Sequence, residues 1–145
     1  MPNGAGSGGG TILGVSNSFT GVAQGLEIVG THGYCLTGNH GATSTPVEAM
    51  KFTTGNYYLV GILQVNMALN NAGSGFSVSK TYAQVEFNGS IVSHLVANQD
   101  PNDQPTSNQQ PLIIPAFTQV VVKLYSDENE AARYMTASLT GEIHR

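Results

Sequence analysis

Histidine and cysteine side chains are the groups in this chain best suited to bind a metal or transfer a proton. The four histidines are His32, His40, His94 and His144, and the one cysteine is Cys35. A zinc site around Cys35 would use the two flanking histidines but would lack a fourth ligand. No H-E-x-x-H, C-x-x-C, G-x-S-x-G or phosphate-binding loop is present. We therefore predict no catalytic residue, no metal and no cofactor, and we expect the protein not to be an enzyme.

The surroundings of these groups favour structural roles. His94 lies in an apolar stretch, Ser90–Ala97, which favours a partly buried and hydrogen-bonded histidine over a catalytic base. Cys35 has no second cysteine to pair with, and we expect a small buried hydrophobe. An interchain disulfide or a reactive thiol is the alternative. A threefold axis could still gather one histidine from each of three chains, and His94 is the first candidate for that arrangement.

Acidic and amide residues between positions 98 and 103 form the remaining candidate site, for calcium. A proline interrupts them and no glutamate closes the loop, so the spacing differs from that of an EF-hand. Solvated turn chemistry is the preferred interpretation. The residues are Asn98, Asp100, Asn102 and Asp103.

Charged residues are unusually sparse, and their scarcity limits the possible partners. The 145 residues include five Lys and Arg and nine Asp and Glu, with a net charge of −4. No basic patch is evident, so we expect no nucleic-acid binding. No apolar run approaches the roughly 18 residues of a spanning helix, and the first residues do not resemble a secretory signal, so we expect no membrane association. A surface of neutral polar side chains suits subunits packed side by side, because few charges must be desolvated.

The patterning predicts a single all-β domain over residues 11–145, with about eight strands and no helix. The clearest strand is Tyr57–Leu69, whose odd-numbered face is apolar throughout. A bulge is expected near Ala83, where the apolar face of Phe76–Phe87 switches. Loops are expected over Gly38–Pro46 and Asn98–Gln110, and one strand over Pro111–Tyr125. Such a pattern is typical of a sandwich or barrel.

Two features of this pattern predict assembly. The even-numbered face of the long strand begins with Tyr58, Val60 and Ile62, which a monomer would expose, so we predict that a subunit interface buries them. Residues 1–10 form a Gly-rich arm, which is costly to order. We expect a neighbouring subunit to hold this arm through its glycines, Gly8, Gly9 and Gly10.

From Met50 onward the chain resembles the jelly-roll family of complement-type globular heads and tumour necrosis factor. Phe52-Thr53-Thr54-Gly55-Asn56-Tyr57-Tyr58 is similar to the opening signature of that family, and Val85–Ser90 ends a middle strand at Asn-Gly in the same way. Thr118–Leu124 is similar to its late Val/Leu strand, and Ala137–Ile143 to its closing strand, with Leu139 in place of the usual aromatic. The resemblance implies a jelly-roll sandwich that forms a homotrimer.

The preferred functional hypothesis is a virion structural protein of this type: a capsid decoration, cement or vertex subunit on the capsid surface, bound to a major capsid protein or another virion protein. The alternative is a receptor- or glycan-binding head of a phage or viral fibre, which would expose aromatic side chains in a shallow cleft. An enzyme on a cupin-like jelly roll and a trimeric ligand of bacterial or host origin are less favoured.

Overall fold

The fold is all-β. A computed structural model describes residues 23–69, 80–98, 106–127 and 129–145, and these residues contain ten strands and no helix. The strands are β1 (Glu27–Val29), β2 (His32–Leu36), β3 (His40–Ala42), β4 (Val47–Thr53), β5 (Tyr58–Leu69), β6 (Lys80–Phe87), β7 (Ser90–Asn98), β8 (Thr106–Ile114), β9 (Gln119–Ser126) and β10 (Glu130–His144).

The strands form two antiparallel sheets, an arrangement consistent with a β-sandwich. One sheet has four strands in the order β4-β9-β6-β7. The other has six, in the order β1-β2-β10-β5-β8, with β3 also paired to β10. Strand β10 is long enough to pair with two strands along one edge, with β3 near Tyr134 and with β2 from Ser138 to Glu142.

Alternation of side chains along the strands builds one core between the sheets. On β5, Leu59, Leu63 and Val65 are fully buried, which confirms that the odd-numbered face points inward. The inward-facing residues of β10, in the same sheet, and of β9, in the other sheet, are buried as well. Burying each such side chain stabilises the fold by about 1.5–3 kcal/mol. The largest buried side chains are Met50, Leu59, Leu63, Met67, Ile114, Leu124, Met135 and Leu139.

A row of glycines lets three strands of the six-stranded sheet approach closely. Gly33, Gly141 and Gly61 are paired in register across β2, β10 and β5. A Cβ on Gly141 would lie 2.5 Å from the Val60 carbonyl oxygen, and one on Gly61 would lie 2.3 Å from that of Thr140. The side chain of Leu59 covers this row from the core, so the space that missing side chains leave is filled.

Several strand boundaries differ from the sequence-based expectations. The expected loop over residues 38–46 contains β3, whose three residues form a strand because β10 is available as a partner. The expected loop over residues 98–110 ends at β8, which begins at Thr106 as a polar strand at the sheet edge. The expected strand Pro111–Tyr125 is two strands, because Pro115 has no N–H to donate and Phe117 adopts a left-handed φ of 54°.

The predicted bulge near Ala83 is also wrong. Strand β6 keeps regular register with β9 through Ala83, and Tyr82 stacks on Tyr125 at a centroid distance of 4.8 Å. The irregularity lies between Val85 and Glu86, where β7 contributes Val92 as an extra residue. The tight turn at Asn88-Gly89 is confirmed, because both residues have positive φ, 51° and 85°, as a type I′ hairpin requires.

Candidate functional site

The outer face of the six-stranded sheet is the candidate functional site, because large apolar side chains on it are exposed in the described part of the chain. Tyr58, Val60 and Ile62 of β5 are 44%, 40% and 44% exposed, as expected for a single copy. They alternate with core residues, so the same pleating that fills the core turns these three side chains outward.

Strand β8 extends this apolar area. Ile113 lies opposite Val60 and Pro111 lies opposite Ile62, and Ile113 is 66% exposed. Opposite residues on antiparallel strands share a face, with Cβ atoms about 4.5–5.5 Å apart. These five residues, Tyr58, Val60, Ile62, Pro111 and Ile113, are called the β5–β8 patch.

A second apolar area lies on the same face beyond β10. Tyr34 and Leu36 of β2 lie opposite Thr140 and Ser138 of β10, and Val29 of β1 lies opposite His32. Val29, Tyr34 and Leu36 are all exposed and are called the β1–β2 patch. Since adjacent strands are about 4.8 Å apart, β2 and β5 lie about 10 Å from each other, with β10 between them.

Strand β10 lines the strip between the two patches with polar side chains. Among the described side chains on this face, Glu27 and Glu142 are the only Asp, Glu, Lys or Arg. Glu142 lies 3.5 Å from His144 Nε2, and the His144 ring stacks on Tyr58 with centroids 5.0 Å apart. Towards the other end of β5, the face carries a network of side-chain amides. In this network Gln109 donates to Gln64 (3.0 Å) and Gln64 donates to Asn66 (2.8 Å).

The outer face of the four-stranded sheet carries more charged side chains than that of the six-stranded sheet. All three lysines, Lys51, Lys80 and Lys123, lie in its strands, and Lys123 pairs with Glu86 at 3.0 Å. Hydrogen bonds from Lys123 and Gln84 lower the pKa of Glu86. An interface on this side would have to desolvate these groups, whereas the outer face of the six-stranded sheet offers apolar area with few charges.

Two of the side chains considered for chemistry have pKa values that burial shifts. Cys35 is buried, as predicted, and burial raises the pKa of its thiol to about 12, with Glu27 adding a smaller effect. Burial also lowers the pKa of His40, against an opposing hydrogen bond with the backbone of Thr37. No group of three or more His, Cys, Asp or Glu within the described residues could hold a metal ion.

Other expectations are corrected or lie beyond what the structure describes. His94 is exposed rather than partly buried, because it lies opposite Gln84 on the outward side of β7. Asn98 is the exposed last residue of β7. The rest of the candidate calcium cluster, Asp100, Asn102 and Asp103, and the arm glycines Gly8, Gly9 and Gly10 lie outside the described residues.

Sequence reasoning missed most of this face. Val29, Leu36 and Ile113 were not singled out, although the run Pro111–Ile114 is apolar on both faces and signals a strand with two buried sides.

Comparison with models of known protein families and with curated proteins gave no match. Within the described residues, no helix has the length and apolar character needed to cross a membrane.

Proposed function

We propose that this chain is a virion structural protein, a capsid decoration, cement or vertex subunit that acts as a homotrimer on the capsid surface. The observation that carries the proposal is the outer face of the six-stranded sheet, which combines two exposed apolar patches with very few charges. Large apolar patches on the surface of a soluble protein mark interaction sites.

The strand order supports a jelly roll within the observed pair of sheets. Apart from the three-residue strands β1 and β3, the strands pair as β2 with β10, β4 with β9, β5 with β8 and β6 with β7. When these eight strands are counted in chain order, the first pairs with the eighth, the second with the seventh, the third with the sixth and the fourth with the fifth. A long two-stranded ribbon closed by the β6–β7 hairpin and wrapped into two sheets would have this order.

The two patches support a head-to-tail ring of three copies. A two-fold dimer would place identical surfaces together, whereas a ring places two different surfaces of the chain together. The β5–β8 patch and the β1–β2 patch lie on one face on opposite sides of β10, so each copy has one patch for each neighbour. The resemblance to tumour necrosis factor-like jelly rolls selects the threefold ring.

The virion context rests on the low charge and on the expected Gly-rich arm. Five Lys and Arg in 145 residues leave a neutral polar surface, suited to close packing on a major capsid protein or another virion protein. The arm residues Gly8, Gly9 and Gly10 are the proposed contact with that larger assembly. Cofactors have no role in this proposal.

Light scattering after size-exclusion chromatography tests the trimer. Wild-type protein at micromolar concentration should give three times the 15.2 kDa chain mass. Ile62→Ser with Val60→Ser should dissociate it, because both side chains would lose their apolar contacts. Ile91→Ser is the matched control: Ile91 is also exposed but lies on the four-stranded sheet, opposite Glu86. A wild-type monomer would refute the proposed assembly.

The virion role needs a separate experiment. Quantitative mass spectrometry of purified virions should find the chain in a copy number divisible by three. Deletion of residues 1–10 should leave the trimer intact and weaken its binding to capsids that lack the protein. Absence of the chain from virions would contradict the role, whatever its oligomeric state.

A further inference from the structure

Phe117 combines two features that a single copy of the chain does not explain. It is 67% exposed, the highest value among the large apolar residues in the described part of the chain. Its φ is 54°, in the left-handed region that bulky side chains rarely adopt. Glycine would adopt this conformation without strain and would expose no apolar surface.

The loop around Phe117 is held rigidly by Thr54. The buried Thr54 hydroxyl donates to the Pro115 carbonyl oxygen (2.7 Å) and accepts from the Thr118 N–H (2.8 Å). The Thr54 N–H also donates to the Thr118 carbonyl oxygen (3.0 Å), and the Phe117 N–H donates to that of Gly55 (3.0 Å). These bonds over-determine the turn and keep Phe117 in its strained conformation.

The position of this turn relates it to the β5–β8 patch. Phe117 follows Ile113 by four residues, and its bond to Gly55 ties it to the connection that leads into β5 at Tyr58. Ile113 lies in a register row that crosses the sheet through Val60 and Glu142 to His32 and Val29. The turn and Val29 therefore lie at the same end of the strands, on opposite sides of the face.

We propose that Phe117 anchors one copy of the chain to the next, with its ring packed against Val29 in the β1–β2 patch of the neighbouring copy. This inference rests on the proposed ring. In a ring whose axis runs along the strands, the β5–β8 side of one copy faces the β1–β2 side of the next at the same height. A rigid aromatic side chain that loses little entropy on binding is typical of the residues that dominate interfaces.

A second copy is the occupant that the surface chemistry favours. No Asp, Glu, Lys or Arg lies between Gly55 and Ile62 or between Thr106 and Gln119, so nothing there selects a charged partner. The chain itself supplies an apolar surface in Val29, Tyr34 and Leu36, with Glu27 opposite Tyr34 as the charged group within it.

Sedimentation velocity over a concentration series tests the anchor. Phe117→Gly removes the ring and relieves the backbone, so the variant should keep the wild-type circular dichroism spectrum. Its association should weaken by at least about 30-fold, as expected for loss of a dominant interface residue. Phe117→Tyr keeps an aromatic ring and should remain a trimer. Ile91→Ser should associate like wild type.

Cross-linking provides a second measurement that does not depend on how well Phe117→Gly folds. At a protein concentration high enough for the double variant Val29→Cys, Phe117→Cys to associate, its oxidation should give covalent oligomers on a denaturing gel, and oxidation of each single variant should not. An association constant for Phe117→Gly equal to wild type would overturn the anchor while leaving the trimer in place, and so would absence of cross-linking in a trimeric double variant. A wild-type monomer would overturn both proposals.

Discussion

Replacing Gly141 with alanine tests the close approach of β5 and β10 in the centre of the six-stranded sheet. The new Cβ would lie 2.5 Å from the Val60 carbonyl oxygen and 2.6 Å from the Gly61 Cα. Both are backbone atoms that are held by strand pairing, so no side-chain rotation can relieve the clash. The strands must separate locally by about 0.5 Å to reach even a 3.0 Å contact.

We expect Gly141→Ala to lower the free energy of unfolding by about 2–3 kcal/mol, at the upper end of overpacking costs in well-packed cores. The reduced entropy of the unfolded alanine chain offsets only about 0.4–1 kcal/mol of a larger native-state cost. With a urea dependence of about 2 kcal/mol per M, the midpoint of urea unfolding should fall by about 1–1.5 M. All variants are compared at one protein concentration, because association would shift the midpoint.

Two other glycines calibrate this prediction. A Cβ on Gly33 would meet only side-chain atoms, Leu59 Cδ1 at 3.0 Å and Ile143 Cδ1 at 3.1 Å, so Gly33→Ala should cost about 1 kcal/mol. A Cβ on Gly25 meets nothing within 4 Å, so Gly25→Ala should change stability by less than about 0.5 kcal/mol. Equal midpoints for Gly141→Ala and Gly25→Ala would refute the reasoning.

Three further predictions concern buried polar groups. Cys35, with its pKa raised to about 12, should resist iodoacetamide at pH 8 in native protein and react in urea; rapid labelling of native protein, measured by mass spectrometry, would contradict this. Because burial lowers the pKa of His40 below its usual value near 6.5, the unfolded chain binds its proton more readily. Stability should therefore fall as the pH drops below about 6.5, and His40→Gln should flatten that slope in urea titrations. Thr54→Val removes the hydroxyl partner of the buried Thr118 N–H and of the part-buried Pro115 carbonyl oxygen and should cost about 1–3 kcal/mol, whereas Val at the exposed Thr53 should be neutral.

Local patterns were sufficient where one strand faces one core. The alternation along Tyr58–Leu69 identified both the buried face and the exposed residues Tyr58, Val60 and Ile62. The Asn88-Gly89 turn was also readable, because its chemistry is local: two residues with positive φ. Period-two alternation and turn composition depend on neighbours in the chain, so both can be recognised in the sequence without knowledge of the fold.

Patterns failed where a partner distant in sequence decides the structure. Strand β3 exists because β10 runs beside it, and His94 is exposed because its neighbour in register is the outward-facing Gln84. The face that joins Ile113 to Val60 and Leu36 to Ser138 combines strands far apart in the chain.

The amino-acid sequence by itself determined that the chain is all-β, that it is poor in charge, and that one long strand has a second apolar face. The tertiary structure alone decided that two apolar patches flank a polar strand on one face, and that Phe117 is held strained and exposed by Thr54. The physical reason is that strand register and backbone hydrogen bonds between remote segments set these positions, and such pairings leave no periodic signal in either segment.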